Sequence, residues 1–358
     1  MSFRVEADAL RDFSKFLEGC REDAEAVKKN ISDDITLSAH EEGVLTMLAG
    51  YHSANTDAMT GRMKLLTHIA EHAADEIDSA AQMYEKTDKD DAAKLDSTYP
   101  GATYESFLPP ADDGSSATFE WYPTKGNLDV ETDPDELQPK AEGLEKWTRE
   151  FFDTISWMAN IREFITWACK KLGVFDGDPL DWIVQWFMGE WQAWATCALE
   201  WELCKATAHG MSDNFEMFGL PKLTQVWEGK AADAAYEYFD NLKDSIETES
   251  EAFDKLYEQY KLVTELAYET QVAINDAVNG LLDAAFEAVA MIAGGGWVMA
   301  VWDIVGIIGT IVTSVMNYIQ AAETAIRFAS SDPVPDTTLK ELPGKGKYHD
   351  YDHPSEKI

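Results

Sequence analysis

With Phe13 set at the origin and each residue advanced by about 100°, Leu10, Phe16, Leu17, Cys20, Ala24, Val27 and Ile31 all fall within roughly 60° of it. Lys15, Glu22 and Lys29 fall on the opposite side. The pattern predicts a helix over 3–31 with one apolar stripe and a solvated back. Asn30, Ser32, Asp33 and Asp34 break the period and predict a turn. A second helix begins between Ser38 and Ser53 and runs to about Leu95, where Tyr99-Pro100-Gly101 stops it. Its stripe is Met59, Met63, Leu66, Ala70, Ala73, Ile77, Ala80 and Tyr84. The two helices make a hairpin that cannot bury its own stripe, so it needs a partner.

Residues 99–140 carry nine acids against two lysines, are rich in proline, and predict an acidic linker with an extended piece near Thr118–Tyr122. Beyond it, 141–172 is helical and aromatic, with Trp147, Phe151, Phe152, Trp157, Phe164 and Trp167. Phe175-Asp176-Gly177-Asp178-Pro179 ends that element, and one helix is expected from about Leu180 to His209, carrying Trp182, Trp186, Trp191, Trp194 and Trp201. The tryptophans predict a core of large side chains between helices. After a loop through Gly219-Leu220-Pro221, Ala232, Ala235, Tyr236, Phe239, Leu242, Ile246, Phe253, Tyr257, Tyr260, Thr264 and Tyr268 share one face of a long helix.

Residues 284–322 hold only Glu287 and Asp303 as charges. Uncharged runs at 288–302 and 304–322 are divided by Asp303, and Gly294-Gly295-Gly296 marks a bend. A bilayer span needs ~20 apolar residues, so the second run is barely long enough. Both a buried helical hairpin and a membrane-inserting one remain open here. Residues 330–358 are polar, contain four prolines, and predict a disordered tail. The expected fold is all-α, an elongated bundle of two helical hairpins plus an apolar C-terminal helical hairpin. The expected units are a hairpin over 1–98, a linker over 99–140, a Trp-rich module over 141–275, an apolar hairpin over 276–329 and a tail over 330–358.

Charge narrows the partners. The 358 residues carry a net charge of −37, with 45% apolar content, ample for a packed core. No basic footprint exists for nucleic acid, nor for anionic lipid headgroups. Four cysteines are too few for a disulfide scaffold, and buried free thiols are expected. MSFRVEADALRDF has no apolar core of a Sec-type signal peptide.

Candidate chemistry is sparse. His68-Ile69-Ala70-Glu71-His72 fits the inverted zinc-peptidase string H-x-x-E-H, but both histidines lie opposite the apolar stripe and are expected to face water. Neither a phosphate loop nor a nucleophile elbow is present. The reading is therefore of a non-enzyme with no catalytic residues, no metal site and no cofactor.

Trp227-Glu228-Gly229, set between long helices and followed by AADAAYEYF, resembles the W-x-G turn of the Esx-like superfamily. DPLDWIVQWFMGEW at 178–191 resembles the lead-in to that module in longer relatives. The first hairpin ends AAQMYEKTD and resembles the Esp-type partners of the same systems, whose second helix bears a Y-x-x-x-D/E export signal. Tyr84 and Asp88 match it, one turn apart on one helical face. Tyr236–Asp240 and Tyr348–Asp352 have the same spacing. The first of these lies too early in its helix and the second lies in the tail.

The resemblance implies a substrate of type VII (ESX-like) secretion in actinobacteria, secreted or delivered to the cell surface. The secretion ATPase would be its partner, with an Esx- or Esp-like helical protein or chaperone as a further one. It also implies that two hairpins normally on separate chains are joined here, so that 3–95 packs on 180–275 in cis with Tyr84 near Trp227. A free first hairpin awaiting a separate partner is the competing arrangement. Membrane contact through 284–322 and an intracellular scaffold are the alternative functions.

Overall fold

The computed structural model describes residues 4–37, 44–87, 118–129, 137–157, 159–173, 177–292, 334–344 and 346–352, with a few positions between them. The fold is an all-α helical bundle. Helix α1 (Ala7–Asp33) and helix α2 (Val44–Lys86) form the first hairpin. The stripe residues from Leu10 to Ile31 are buried, as are those on α2 from Met59 to Tyr84. Helices α3 (Leu137–Trp157), α4 (Ala159–Leu172) and α5 (Pro179–Phe187) lead to α6 (Trp191–Asn214). A π-helical turn (Phe215–Gly219) passes into α7 (Leu220–Val226), and α8 runs from Lys230 to Ile292. At ~1.5 Å per residue, these 63 residues make α8 a rod of about 95 Å.

The second hairpin is α6 against α8, with Trp201 and Phe253 ring centroids 5.9 Å apart, and the two hairpins pack on one another within the chain. Phe13 of α1 meets Phe239 of α8 edge-on at 5.0 Å and Phe16 meets Phe215 at 5.3 Å. Toward the other end, Trp194 of α6 and Tyr260 of α8 stack at 4.3 Å, and the Tyr260 hydroxyl lies 2.7 Å from His52 Nδ1 on α2. Arg62 of α2 pairs with the fully buried Glu249 of α8 at 3.2 Å. Each stripe thus finds its cover on the other hairpin, removing apolar surface from water at ~25 cal/mol per Å².

Several expectations are corrected. The single helix over 180–209 is two helices, because Gly189 adopts φ 144, a conformation that only glycine takes without strain. Asp178 caps α5 by accepting from the Leu180 and Asp181 N–H groups, with Pro179 in the first turn. The loop expected at Gly219-Leu220-Pro221 is helical: the wider π-turn over Phe215–Gly219 runs straight into α7, with the Leu220 N–H donating to the Phe215 carbonyl. No break occurs at 275/276, where α8 continues to Ile292. The helix expected over 141–172 is assigned as α3 and α4, with residue 158 between them outside the described residues. Not all its aromatics are core: Phe152 and Trp167 are about half exposed, at 48% and 47%.

The linker is more than a tether. Residues 118–129 cross α1 and α6 as a strap held by one buried carboxylate. Asp23, 1% exposed, accepts from Trp121 Nε1 (2.8 Å), the Thr124 amide (2.7 Å), the Thr124 hydroxyl (2.9 Å) and the Lys125 amide (3.3 Å). Gly19 leaves room for the Trp121 ring, which an added Cβ would meet at 2.3 Å. The Asn214 side chain brackets the Tyr122 backbone, accepting from its N–H and donating to its C=O, both at 2.9 Å.

The tail departs furthest from expectation. Residues 334–344 and 346–352 are packed rather than disordered, and Leu339, Leu342 and Tyr351 are buried. Three apolar side chains among the polar ones supply the burial that the composition hides. The bend at Gly294–Gly296 and Asp303 lie outside the described residues. Of the apolar C-terminal run, Ile308 and Val315 are buried, whereas Trp302 and Met316 are exposed.

The buried polar groups can be probed one at a time. Asp23→Ala strands the strap's donors, each costing about 1–3 kcal/mol unless water reaches it. A loss of about 2–4 kcal/mol in urea unfolding is expected, and a change below about 0.5 kcal/mol would contradict the strap. Burial lowers His52 from its ordinary value near 6.5 to about 4, opposed in part by a hydrogen bond with the Ile35 backbone. The unfolded chain therefore binds a proton before the folded one does. Stability should fall as pH drops from about 6.5 to about 4, and His52→Gln should flatten that part of a melting-temperature profile.

Candidate functional site

The W-x-G segment is held by Arg4–Glu6. Trp227 leaves α7 in extended conformation, and Trp227–Glu228 pairs antiparallel with Arg4–Val5, Val5 opposite Trp227 and Arg4 opposite Glu228. The Glu6 amide donates to the Val226 carbonyl at 2.9 Å, and Arg4 forms an ion pair with Glu228 at 3.4 Å. That pair is partly exposed and worth little by itself. Gly229 sits at φ 141, and its carbonyl accepts from the Asp233 amide at 3.0 Å to open α8. A side chain at 229 would be strained in this conformation.

Trp227 is 1% exposed, and its ring meets Tyr84, 8% exposed, in a T-shaped contact with centroids 6.0 Å apart. Such a pair adds about 0.5–1.5 kcal/mol beyond its area. Beside it Arg11 of α1 bridges Asp8, Asp78 and Glu85, so the last turns of α2 are tied to the first turns of α1. Hydrogen bonding to Glu85 raises the Arg11 guanidinium above its ordinary value, and the Glu85 carboxyl is lowered in turn. Tyr84, Trp227, Glu228, Gly229 and the start of the chain thus occupy one end of the bundle. Asp88 lies outside the described residues. Of the other two Y-x-x-x-D pairs, Tyr236 is buried and Asp240 pairs with Lys243 at 2.9 Å, while Tyr348 is 40% exposed.

The histidines of H-x-x-E-H do not lie on a bare helix face. His68 Nε2 is 3.4 Å from Asp350 Oδ1 of the tail, and its ring is 4.5 Å from that of Tyr348. The expectation that both face water is corrected for His68, which the tail meets, while His72 is half-buried. Among the described residues no group of three or more His, Cys, Asp or Glu side chains could hold a metal. All four cysteines are buried free thiols. Burial pushes Cys169 up to about 11 and Cys20 and Cys204 further, so these three stay protonated and unreactive at neutral pH. Among the described residues no helix is long and apolar enough to cross a membrane.

The β-pairing of Arg4–Val5 with Trp227–Glu228 has no signature in the sequence, because two residues give no periodic signal. No family model, curated protein or solved structure matches this chain.

The geometry makes Gly229 and the ring pair separately testable. Gly229→Ala should cost about 1–3 kcal/mol from backbone strain alone. A double-mutant cycle of Tyr84→Leu and Trp227→Leu should return a coupling of about 0.5–1.5 kcal/mol, and strict additivity would mean that the two rings do not meet.

Proposed function

We propose that this protein is a substrate of a type VII (ESX-like) secretion system, secreted or delivered to the cell surface, with a helical, non-enzymatic body. One observation carries the reading. The tyrosine that opens the Y-x-x-x-D string of one hairpin packs 6.0 Å from the tryptophan of the W-x-G turn of the other. Chance string matches on two hairpins have no reason to meet. In the Esx-like pairs that this chain resembles, the two motifs belong to separate partners, and here a single chain carries both. The partner is then the secretion ATPase, reading the end of α2 together with Asp88 just beyond it. Burial of Tyr84 suits a residue that holds the end together, which leaves Asp88 as the cleaner probe of recognition.

The test is export from an actinobacterial host with and without an active type VII ATPase. The protein should appear in culture filtrate or at the cell surface only when the ATPase is active. Export of Asp88→Ala should fall at least about tenfold, with its cellular level and melting temperature followed alongside so that lost export is told apart from lost folding. Equal export in both strains would overturn the reading. Normal export of Asp88→Ala would remove Tyr84–Asp88 as the signal.

A further inference from the structure

The segment 334–352 has the features of a bound peptide rather than of a core element. Its one regular piece is a 3₁₀ turn, Thr338–Glu341, which contacts both α2 and α8. Three apolar anchors enter the bundle: Leu339 is fully buried, and Leu342 and Tyr351 are each 3% exposed. Tyr351 meets Tyr238 and Phe239 of α8 at 5.2 and 5.3 Å between ring centroids. The polar anchors are also side chains of the two helices. Arg62 donates to the Pro335 carbonyl, the Thr337 hydroxyl donates to Glu249 at 2.6 Å, and the Tyr238 hydroxyl donates to the His349 carbonyl at 3.1 Å.

Two further observations separate this segment from the rest of the core. It carries its own fold. The Gly344 amide donates to the Leu342 carbonyl at 2.7 Å, and a Cβ on Gly344 would meet the His349 carbonyl oxygen at 1.9 Å. Gly344 is therefore packed against the His349 and Asp350 backbone of the same segment, which lowers the ordering cost of docking. Its contact with α2 is also imperfectly satisfied. Among the described residues Thr338 Oγ1 is buried without a hydrogen-bond partner, and Asp350 Oδ1 makes no hydrogen bond although His68 Nε2 is 3.4 Å away. Groups left in this state oppose docking, because each regains water on release.

We propose that the groove between α2 and α8 is a peptide-binding site, and that residues 334–352 are its built-in, displaceable ligand. The peptide class it takes is short and non-helical. It carries two leucines three residues apart and, nine residues on, a tyrosine preceded by an aspartate. Covalent attachment holds the segment at a high effective concentration, so the groove is filled in cis unless the tail is drawn away. Release uncovers Tyr238, Phe239 and the Arg62–Glu249 pair for a second segment of the same pattern, while the bundle stays folded. The proposal does not depend on the export reading.

The test uses the full chain with a protease site inserted between Ser330 and Ser331. After cleavage the two pieces should co-elute at micromolar concentration. A fluorescein-labelled 334–352 peptide should then replace the native piece, with far-UV circular dichroism of the bundle unchanged. A Leu339→Ala peptide should bind at least about tenfold more weakly, and the uncut chain should admit the labelled peptide at least about tenfold less well. In the uncut chain, Gly344→Ala should raise hydrogen exchange across 334–352 at least about tenfold and leave α1 and α8 as they were. Three results would each overturn the proposal. One is a cut piece that never exchanges while the bundle is folded. Another is loss of the piece only together with bundle helicity. The third is faster exchange in α1 and α8 to the same degree as in the tail.

Discussion

A helical hairpin with Phe13, Phe16, Leu17 and Val27 on one helix and Met63, Leu66 and Ile77 on the other cannot leave its open side in water. That constraint governs this molecule. All of these side chains are buried, and the cover comes from the same chain. Phe239 and Phe215 reach α1, while Glu249 and Tyr260 reach α2. Packing in cis makes burial independent of concentration, where two separate chains would have to find one another. The remaining pieces serve the same closure. The 118–129 strap seals the aromatic seam on one side, the tail lies along the α2–α8 side, and the Arg4–Val5 pairing fixes the end where Trp227 meets Tyr84.

The polar groups within this core divide by how well they are paired. Asp23 accepts four hydrogen bonds from a segment about a hundred residues away in sequence, so it locks a long connection at little net cost. Glu249 is different. Burial raises its carboxyl above the ordinary value even with Arg62 and Thr337 beside it. A buried pair of that kind is weak evidence of stability, and breaking one partner costs more than the pair contributes. Its value here is positional, since Arg62 and Glu249 meet the tail at Pro335 and Thr337.

Much of the fold was legible in the sequence because helical periodicity reports burial directly. The α1 stripe from Leu10 to Ile31 and the α2 stripe from Met59 to Tyr84 are buried residue for residue. What stayed illegible lies where no period exists. A two-residue bridge at Arg4–Val5, a strap hung on Asp23, and a tail anchored by Leu339, Leu342 and Tyr351 each depend on contacts distant in sequence. Asp23 reads as one acid among 66 until its donors are in place. The break at Gly189 hid inside an apolar run whose pattern is helical on both sides. At the candidate site, Trp227 and Gly229 were legible from their setting between helices, and Tyr84 from its place on the stripe. The pinning of the turn by the N-terminal residues was not.

Both hairpins of one chain form a single bundle with the end of α2 against the W-x-G turn. The direct measurement is a spin-label distance between Lys86→Cys and Ala234→Cys, the native thiols being buried and unlabelled. One narrow distance below about 25 Å is expected, the scale of neighbouring helices in a bundle. It should be unchanged when unlabelled chain is added in twentyfold excess, about the dilution that removes any pairing between copies. A broad distribution centred beyond about 40 Å, well outside that helix-packing scale, would mean that the two hairpins do not pack in this way. So would a short distance that disappears on dilution with unlabelled chain.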